Sequence, residues 1–350
     1  MAKLKPGETL FRDENVFETS YLPEDFLFRD SEIKELVACM KPALKGMKPA
    51  NAFIFGKPAT GKTTAAKLIF NKLQEETSKA VTLHVNCHIY NSEYRILGEL
   101  HKRLFGFMPP ETGLPVAALY DKVFTKLDRE KKALVMALDD MNFYEMKQAN
   151  AVLYDLIRAY EVYPKIKTAI WCISTANVMH KLDDKVRSCF VSNTIEFHPY
   201  KKDEMKAILK ARAAAGLFPN VAPDTVLEKL AGSSRDLRHG IELLKKAAML
   251  AENDLSTKIT DKHAAAAVKT FEPPASSPML DDEKIMLDLL KKKSMESGEL
   301  YEEYRKITGS SYATFFRIIQ KLEKAKLIEK ENIEKEKGRT SRIRLRGNRT

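Results

Sequence analysis

The sequence predicts an α/β domain with a parallel sheet, an all-helical domain after it, and a small third domain of three helices and a β-hairpin. Three observations carry this. Through the first two hundred residues, short apolar runs alternate with amphipathic helical stretches, the pattern of strands joined by helical crossovers. From 201 to about 270 the spacing is helical throughout, with "KDEMKAILKARAAA" and "RDLRHGIELLKKAAMLAEN" the clearest amphipathic segments. The Pro- and Ser-rich stretch "FEPPASSPML" (271–280) then reads as a linker, and the pattern changes again beyond it. The expected domains are 1–198, 199–272 and 273–350.

Taken in order, the candidate strands are "NAFIF" (51–55), "VTLHVN" (81–86), "ALVMAL" (133–138), "TAIWCIS" (168–174) and "TIEF" (194–197). Helices such as "KTTAAKLIFNKLQEE" and "EYRILGELHKRLF" lie between them. In the last part, "DEKIMLDLLKKK" and "ELYEEYRKI" read as two short helices and "SSYATFFRIIQKLEKAKLI" as a third, with Ser310 or Ser311 as its N-cap. The end, "EKGRTSRIRLRGNRT", reads as a hairpin whose tip is Lys337-Gly338-Arg339-Thr340. Three helices and a hairpin match a winged helix-turn-helix module.

The 350 residues are enough for two or three domains with their own cores. No apolar run approaches the roughly 20 residues of a membrane span. The start, "MAKLKPGETLFRDENVF", lacks the apolar stretch of a secretory signal, so a cytoplasmic protein is expected. Cys39, Cys87, Cys172 and Cys189 are far apart with no CxxC pair, which favours buried thiols over zinc or disulfides. Net charge is 59 − 48 = +11, which favours an anionic partner such as nucleic acid.

"GKPATGKTT", Gly56 to Thr64, fits G-x-x-x-x-G-K-[ST] directly after a strand and at the start of a helix. In that context loop and helix N–H groups face phosphates, Lys62 reaches the β- and γ-phosphates, and Thr63 offers its hydroxyl to Mg²⁺. Asp139, ending a later apolar strand, sits where a second Mg²⁺-side residue belongs. An acid can also end a strand simply because loops are polar. Asn177 follows "TAIWCIS"; if that strand lies between the other two, Asn177 would stand beside the γ-phosphate and orient water. The alternative for it is a surface turn.

An ordered set of segments runs along the chain: "YLPEDFLFRDSEIKEL", "VNCHIYNSEYRILGEL", "MPPETGLP", "LDDKVRS", "FHPYKKDEMKAILKAR", "DLRHGIELLKKAAMLAE" and a final "GRT". By this set the chain resembles the archaeal origin-recognition proteins, AAA+ ATPases that bind replication origins and help load the replicative helicase. The resemblance implies an AAA+ P-loop domain, a helical lid domain and a C-terminal winged-helix domain, with ATP or ADP and Mg²⁺ as cofactors. It implies that Thr60, Gly61, Lys62, Thr63 and Thr64 hold the phosphates and that Tyr200 and Arg212 line the nucleotide site. Arg238 would be the lid's sensor of the γ-phosphate. A solvated helix face is the alternative for both arginines.

Four departures stand out. Lys57 and Ala59 replace the usual Pro and Gly, Asp140 the usual Glu, and Asn142 the usual Asp. Lys185 stands where an Arg is normal, with Arg187 two residues on, so Arg187 becomes the remaining candidate for a finger acting on a neighbouring subunit. Asp140 is shorter than Glu by one C–C bond, roughly 1.5 Å. A misplacement of about 1 Å costs on the order of a hundredfold in rate, so a nucleotide switch with slow turnover is expected.

"KGRTSRIRLRGNRT" has one Lys, five Arg and no acid. Alternation places Arg342, Arg344 and Arg346 on one strand face, which with Lys337, Gly338 and Arg339 suits DNA backbone and minor-groove contacts. A disordered basic tail is the alternative for the last residues. On the third helix Phe315, Ile318 or Ile319, and Leu322 form the core stripe. Tyr312, Thr314, Arg317, Gln320 and Lys321 face the other way, towards phosphates and base edges. Residues 103–120 fall where the family has a second, weaker DNA element. The expected partners are double-stranded origin DNA, a replicative helicase and further copies of the chain on DNA, with no membrane. A regulatory paralogue and an active remodelling ATPase are the competing readings.

Overall fold

The structure is a computed structural model. It describes residues 8–110, 114–143, 146–271, 281–292, 294–308, 311–324, 327–335 and 338–345. The chain divides into two compact units, Met1–Lys269 and Thr270–Thr350.

In the first unit helix α1 (Asp30–Leu44) leads to strand β1 (Asn51–Phe55), the phosphate loop and helix α2 (Lys62–Glu76). Strand β2 (Ala80–Asn86), helices α3 (Glu93–Phe105) and α4 (Val116–Glu130), and strand β3 (Ala133–Asp139) follow. Helix α5 (Met146–Arg158), strand β4 (Lys167–Ser174), helix α6 (Asp184–Cys189) and strand β5 (Ser192–Glu196) complete the α/β part. The five strands run in the order β2-β3-β4-β1-β5, and every pairing is parallel. The five expected strands are all present, with ends moved by one or two residues.

Parallel strands buried on both faces require apolar residues throughout, and all seven residues of β3 are buried. Successive side chains alternate between two cores. Leu134, Met136 and Leu138 join the core beneath α3, α4 and α5, whereas Ala133, Val135 and Ala137 join the one beneath α1 and α2. The small residues face α2, where Ala65, Ala66, Ile69, Phe70 and Leu73 recur at helical spacing and Phe70 meets the only tryptophan, Trp171, at 5.2 Å between rings. Ser92 caps the start of α3, and Gly106, left-handed at φ 86°, closes its end. Each connection keeps the C-terminal ends of β1, β3 and β4 on one rim, where parallel α/β sheets bind ligands.

The remainder of this unit is helical: α7 (Lys202–Gly216), α8 (Asp224–Ser233), α9 (Leu237–Asn253) and α10 (Asp261–Phe271). The N-terminal segment lies against them. Arg12 donates to the Ala214 and Ala215 carbonyls, and Phe11 bridges to Leu217. Phe17 approaches Gly216 so closely that a Cβ there would lie 2.4 Å from its ring.

The second unit contains α11 (Asp281–Lys292), strand β6 (Met295–Glu296), α12 (Ser297–Thr308), α13 (Tyr312–Lys324), and the antiparallel strands β7 (Ile328–Lys335) and β8 (Gly338–Leu345). The three-stranded sheet runs β6-β8-β7, so this is the expected three helices and hairpin with a short extra strand. Phe315, Ile318, Ile319 and Leu322 of α13 are all buried with Leu290, Tyr304, Ile328 and Ile343. Ser311 Oγ accepts from the Thr314 N–H, so Ser311 is a cap of α13; Ser310 lies outside the described residues. Among the described residues no helix is long and apolar enough to cross a membrane.

Candidate functional site

A cavity of about 740 Å³ opens on the rim of the sheet, within the size range of small-molecule sites. Its wall includes Thr60, Gly61, Lys62, Thr63 and Thr64 of the phosphate loop, Asp139 and Asp140 after β3, and Thr175 after β4. Tyr200, Arg212 and Arg238 complete it from the helical side, together with N-terminal residues between Arg12 and Leu27.

The loop is shaped for close approach. Gly61 stands at φ 97°, and a Cβ there would meet Phe26 at 2.7 Å. Gly56, at φ 150°, would push a Cβ to 2.2 Å from the Phe197 carbonyl oxygen. Ala59 holds a left-handed φ of 60°, a conformation that favours glycine. Lys62 is 8% exposed and donates to the carbonyls of Gly56 (2.6 Å) and Lys57 (2.8 Å). Burial pushes its ammonium below the ordinary lysine range against the pull of Asp139 and Asp140. A buried cation beside a glycine turn at a helix N-terminus is chemically able to receive a phosphate.

Asp139 Oδ2 accepts from Thr63 Oγ1 at 2.6 Å and lies 2.9 Å from His84 Nε2. Burial alone would raise its pKa, but the bonds from His84 and Thr63 outweigh that and hold it below the usual carboxylate range. Two oxygens on one edge suit a hard cation such as Mg²⁺. Among the described residues no group of three or more His, Cys, Asp or Glu could hold a metal by itself, so a cation here would take the rest of its shell from water or ligand oxygens.

Asp140 adopts φ 58°, a left-handed turn tolerated by Asp, and its Oδ2 accepts from Asn86 Nδ2 at 2.9 Å. Asn142 Oδ1 accepts from the Thr175 N–H, tying the ends of β3 and β4 together. Strand β4 does lie between β1 and β3, yet Thr175 rather than Asn177 is on the cavity wall. The chain turns after Ser174, and exposed Asn177 accepts from the Met179 N–H at the start of a 3-10 turn.

Tyr200 is buried, and its phenol is pushed up to about 12. One face of its ring is covered by the Arg29 guanidinium, 3.8 Å from the ring centre. Arg212 stacks over Tyr21 at 4.4 Å and donates to the Val16 carbonyl, so it fastens the N-terminal segment to α7 while facing the cavity. Arg238, beside the Asp236 cap of α9, is exposed into the cavity. Arg187 lies elsewhere on the surface, paired with Asp184, and Lys185 is exposed beside it.

Sequence reasoning missed His84, Asn86, Arg29 and the N-terminal wall. For the first two a signal existed: polar residues two apart at the end of an apolar strand share one side, and the register sets His84 beside Ala137 and Asn86 beside Asp139. Nothing local marks Arg29.

In the second unit, Tyr312 and Arg317 are exposed on α13, as is Gln320; Thr314 is half-buried with its hydroxyl on Ser311. Phe316, unexpected on that face, is 42% exposed near Tyr312 and Lys330. The wing differs from the expectation of a purely basic face. Gly338, Arg339 and Thr340 belong to strand β8 rather than to a tip, and Lys337 lies outside the described residues, as does Arg346. Arg339, Arg342 and Arg344 stand opposite Glu334, Glu331 and Glu329 of β7. The Arg344 guanidinium donates to Glu329 at 3.0 and 3.1 Å. Between α3 and α4, Phe107 and Met108 are exposed and Lys122 lies over Phe105 and Phe107.

Comparison with known proteins agrees with this geometry. Residues 206–269 match the Cdc6 AAA+ ATPase-type lid domain. The ORC1-type DNA replication protein 2 of Methanothermobacter thermautotrophicus is 39% identical over 334 residues, covering 92% of this chain and 88% of that protein. Its namesake in Methanosarcina mazei is 34% identical over 350 residues, with 97% and 94% covered. The Aeropyrum pernix ORC1 protein, solved in complex with DNA, superimposes with a TM-score of 0.76 at 23% identity, over 96% of this chain and 93% of that one. The fold is therefore that of an AAA+ P-loop domain with its helical lid and a winged helix, and the chain belongs to the family of ORC1-type DNA replication proteins.

Proposed function

We propose that the protein is an ATP-dependent, DNA-binding initiator of DNA replication that recognises double-stranded origin DNA, helps recruit or load the replicative helicase, and acts as a nucleotide switch with slow hydrolysis. Family membership supports the replication role. The observation that carries the switch is that phosphate-loop side chains and Arg212 and Arg238 of the helical lid line one cavity, so a single ligand touches both.

An adenine nucleotide with Mg²⁺ suits the donor set. The bound metal would neutralise phosphate charge. Lys62 would exchange its two carbonyl partners for phosphate oxygens, Thr63 and Asp139 would face the cation, and Arg238 would draw α9 toward the γ-phosphate. Asp140 would polarise water poorly, because it is one methylene short and bonded to Asn86. On this reading 199–272 is the lid on 1–198, and 273–350 binds DNA through α13 and the wing. The exposed Arg187 would act only on a neighbouring copy assembled on DNA. The protein would then work in the cytoplasm, on the nucleoid.

Steady-state turnover of the full chain tests the switch. A rate well below the enzyme median of roughly 10 s⁻¹ is expected, rising on the order of tenfold or more in Asp140→Glu. Fast turnover without DNA, unaltered by that change, would refute it. Footprinting across the source genome tests the initiator role: protection confined to a few repeated elements and dependent on ATP supports it, and uniform weak protection opposes it.

A further inference from the structure

Arg29 stands immediately before α1, turned inward by a left-handed Phe28 at φ 60°. It is 5% exposed, rare for an arginine unless every donor is used. Its Nε donates to the Thr60 carbonyl at 3.1 Å, Nη2 to the His198 carbonyl at 2.6 Å, and Nη1 to the Phe28 carbonyl at 2.9 Å. Glu32 lies 3.5 Å away, and the flat guanidinium covers Tyr200.

These partners belong to two parts of the machinery. Thr60 is in the phosphate loop, directly before Gly61. His198 and Tyr200 form the connection from β5 to α7, from which the lid hangs. Tyr200 Oη also stands 3.1 Å from where a Gly61 Cβ would be, so the connection packs directly against the loop as well. One planar fork therefore joins loop and hinge, and a shift of either would break or strain a bond to the other. A lysine can reach two carbonyls, as Lys62 does, but its compact ammonium lacks the flat face that covers the Tyr200 ring while the fork bonds both segments.

We propose that Arg29 is a positioning residue that transmits phosphate-loop occupancy to the lid hinge, without itself touching nucleotide. This rests on the nucleotide-switch reading and adds the part that conveys the signal. Arg29 is absent from the cavity wall, so replacing it should uncouple the lid rather than abolish binding.

Hydrogen exchange on the full chain, without nucleotide and with Mg²⁺-ADP or a non-hydrolysable ATP analogue, reads this directly, with calorimetry for affinity. In the natural sequence nucleotide should slow exchange in the phosphate loop and in α9. In Arg29→Lys affinity should stay within about tenfold and the loop should remain protected, while the slowing in α9 is lost. Full α9 protection in Arg29→Lys would overturn the proposal. If the natural sequence binds nucleotide but never protects α9, the switch reading itself fails, and this role with it. Glu32→Gln keeps the test valid where Arg29→Lys misfolds, because it leaves the arginine and removes only its flanking carboxylate. Partial loss of α9 protection is expected there, and wild-type protection counts against the proposal.

Discussion

The phosphate site and the wing both concentrate charge, but they hold it in opposite ways. At the phosphate site Lys62, Asp139 and Arg29 are buried, and each is fixed by two or more partners whose removal would leave a charge stranded. In the wing Arg342 and Arg344 are exposed and Glu329 is half-buried, and the Arg344–Glu329 pair is worth about 0–1 kcal/mol. A buried, over-determined site is ready for one ligand geometry. Such a surface pair can trade its glutamate for a phosphate at small cost, which would suit the DNA contact proposed for the wing.

The largest expected effect lies at the buried end. Lys62→Ala should cut nucleotide affinity at least about a hundredfold, because hydrogen bonds to charged groups contribute about 1.5–3 kcal/mol each. Calorimetry would show it, and an unchanged affinity would break the comparison at once. Next, Gly56→Ala would drive a methyl into the Phe197 carbonyl and should cost about 2–3 kcal/mol in a denaturant melt. Ala59→Gly should move the other way, relieving left-handed strain and stabilising by about 1 kcal/mol.

The smallest effect lies in the wing. Glu329→Gln frees Arg344, so affinity for non-specific duplex should rise by about threefold, and the slope of log K against log[salt] should steepen by up to about 0.9. Arg344→Ala should shallow it by a similar amount. Fluorescence titrations over a salt series decide this. A wing in which neither change alters the slope does not contact phosphate.

Charge bookkeeping sharpens the same contrast. Residues 270–350 hold 18 basic and 14 acidic side chains, a net of +4 out of the chain's +11. The arginines of "RTSRIRLR" were legible, whereas their partners in "IEKENIEK" became partners only when the register set Glu329 against Arg344 and Glu331 against Arg342. Register is a property of two strands, and one strand read alone does not contain it.

The sequence by itself determined the five parallel strands, the phosphate loop, Asp139 at the end of β3 and the buried stripe of α13, because each follows from local periodicity or from residues close in the chain. Only the tertiary structure decided that His84 and Asn86 hold the two aspartates, that Thr175 replaces Asn177 on the cavity wall, and that Arg29 joins loop to hinge. Those partners are separated by 55, 54 and, for Arg29 and His198, 169 residues. Alternating apolar residues declare which face of a strand is buried. A polar side chain declares no partner until folding has brought one within about 3 Å, and hydrogen bonding acts only over that distance.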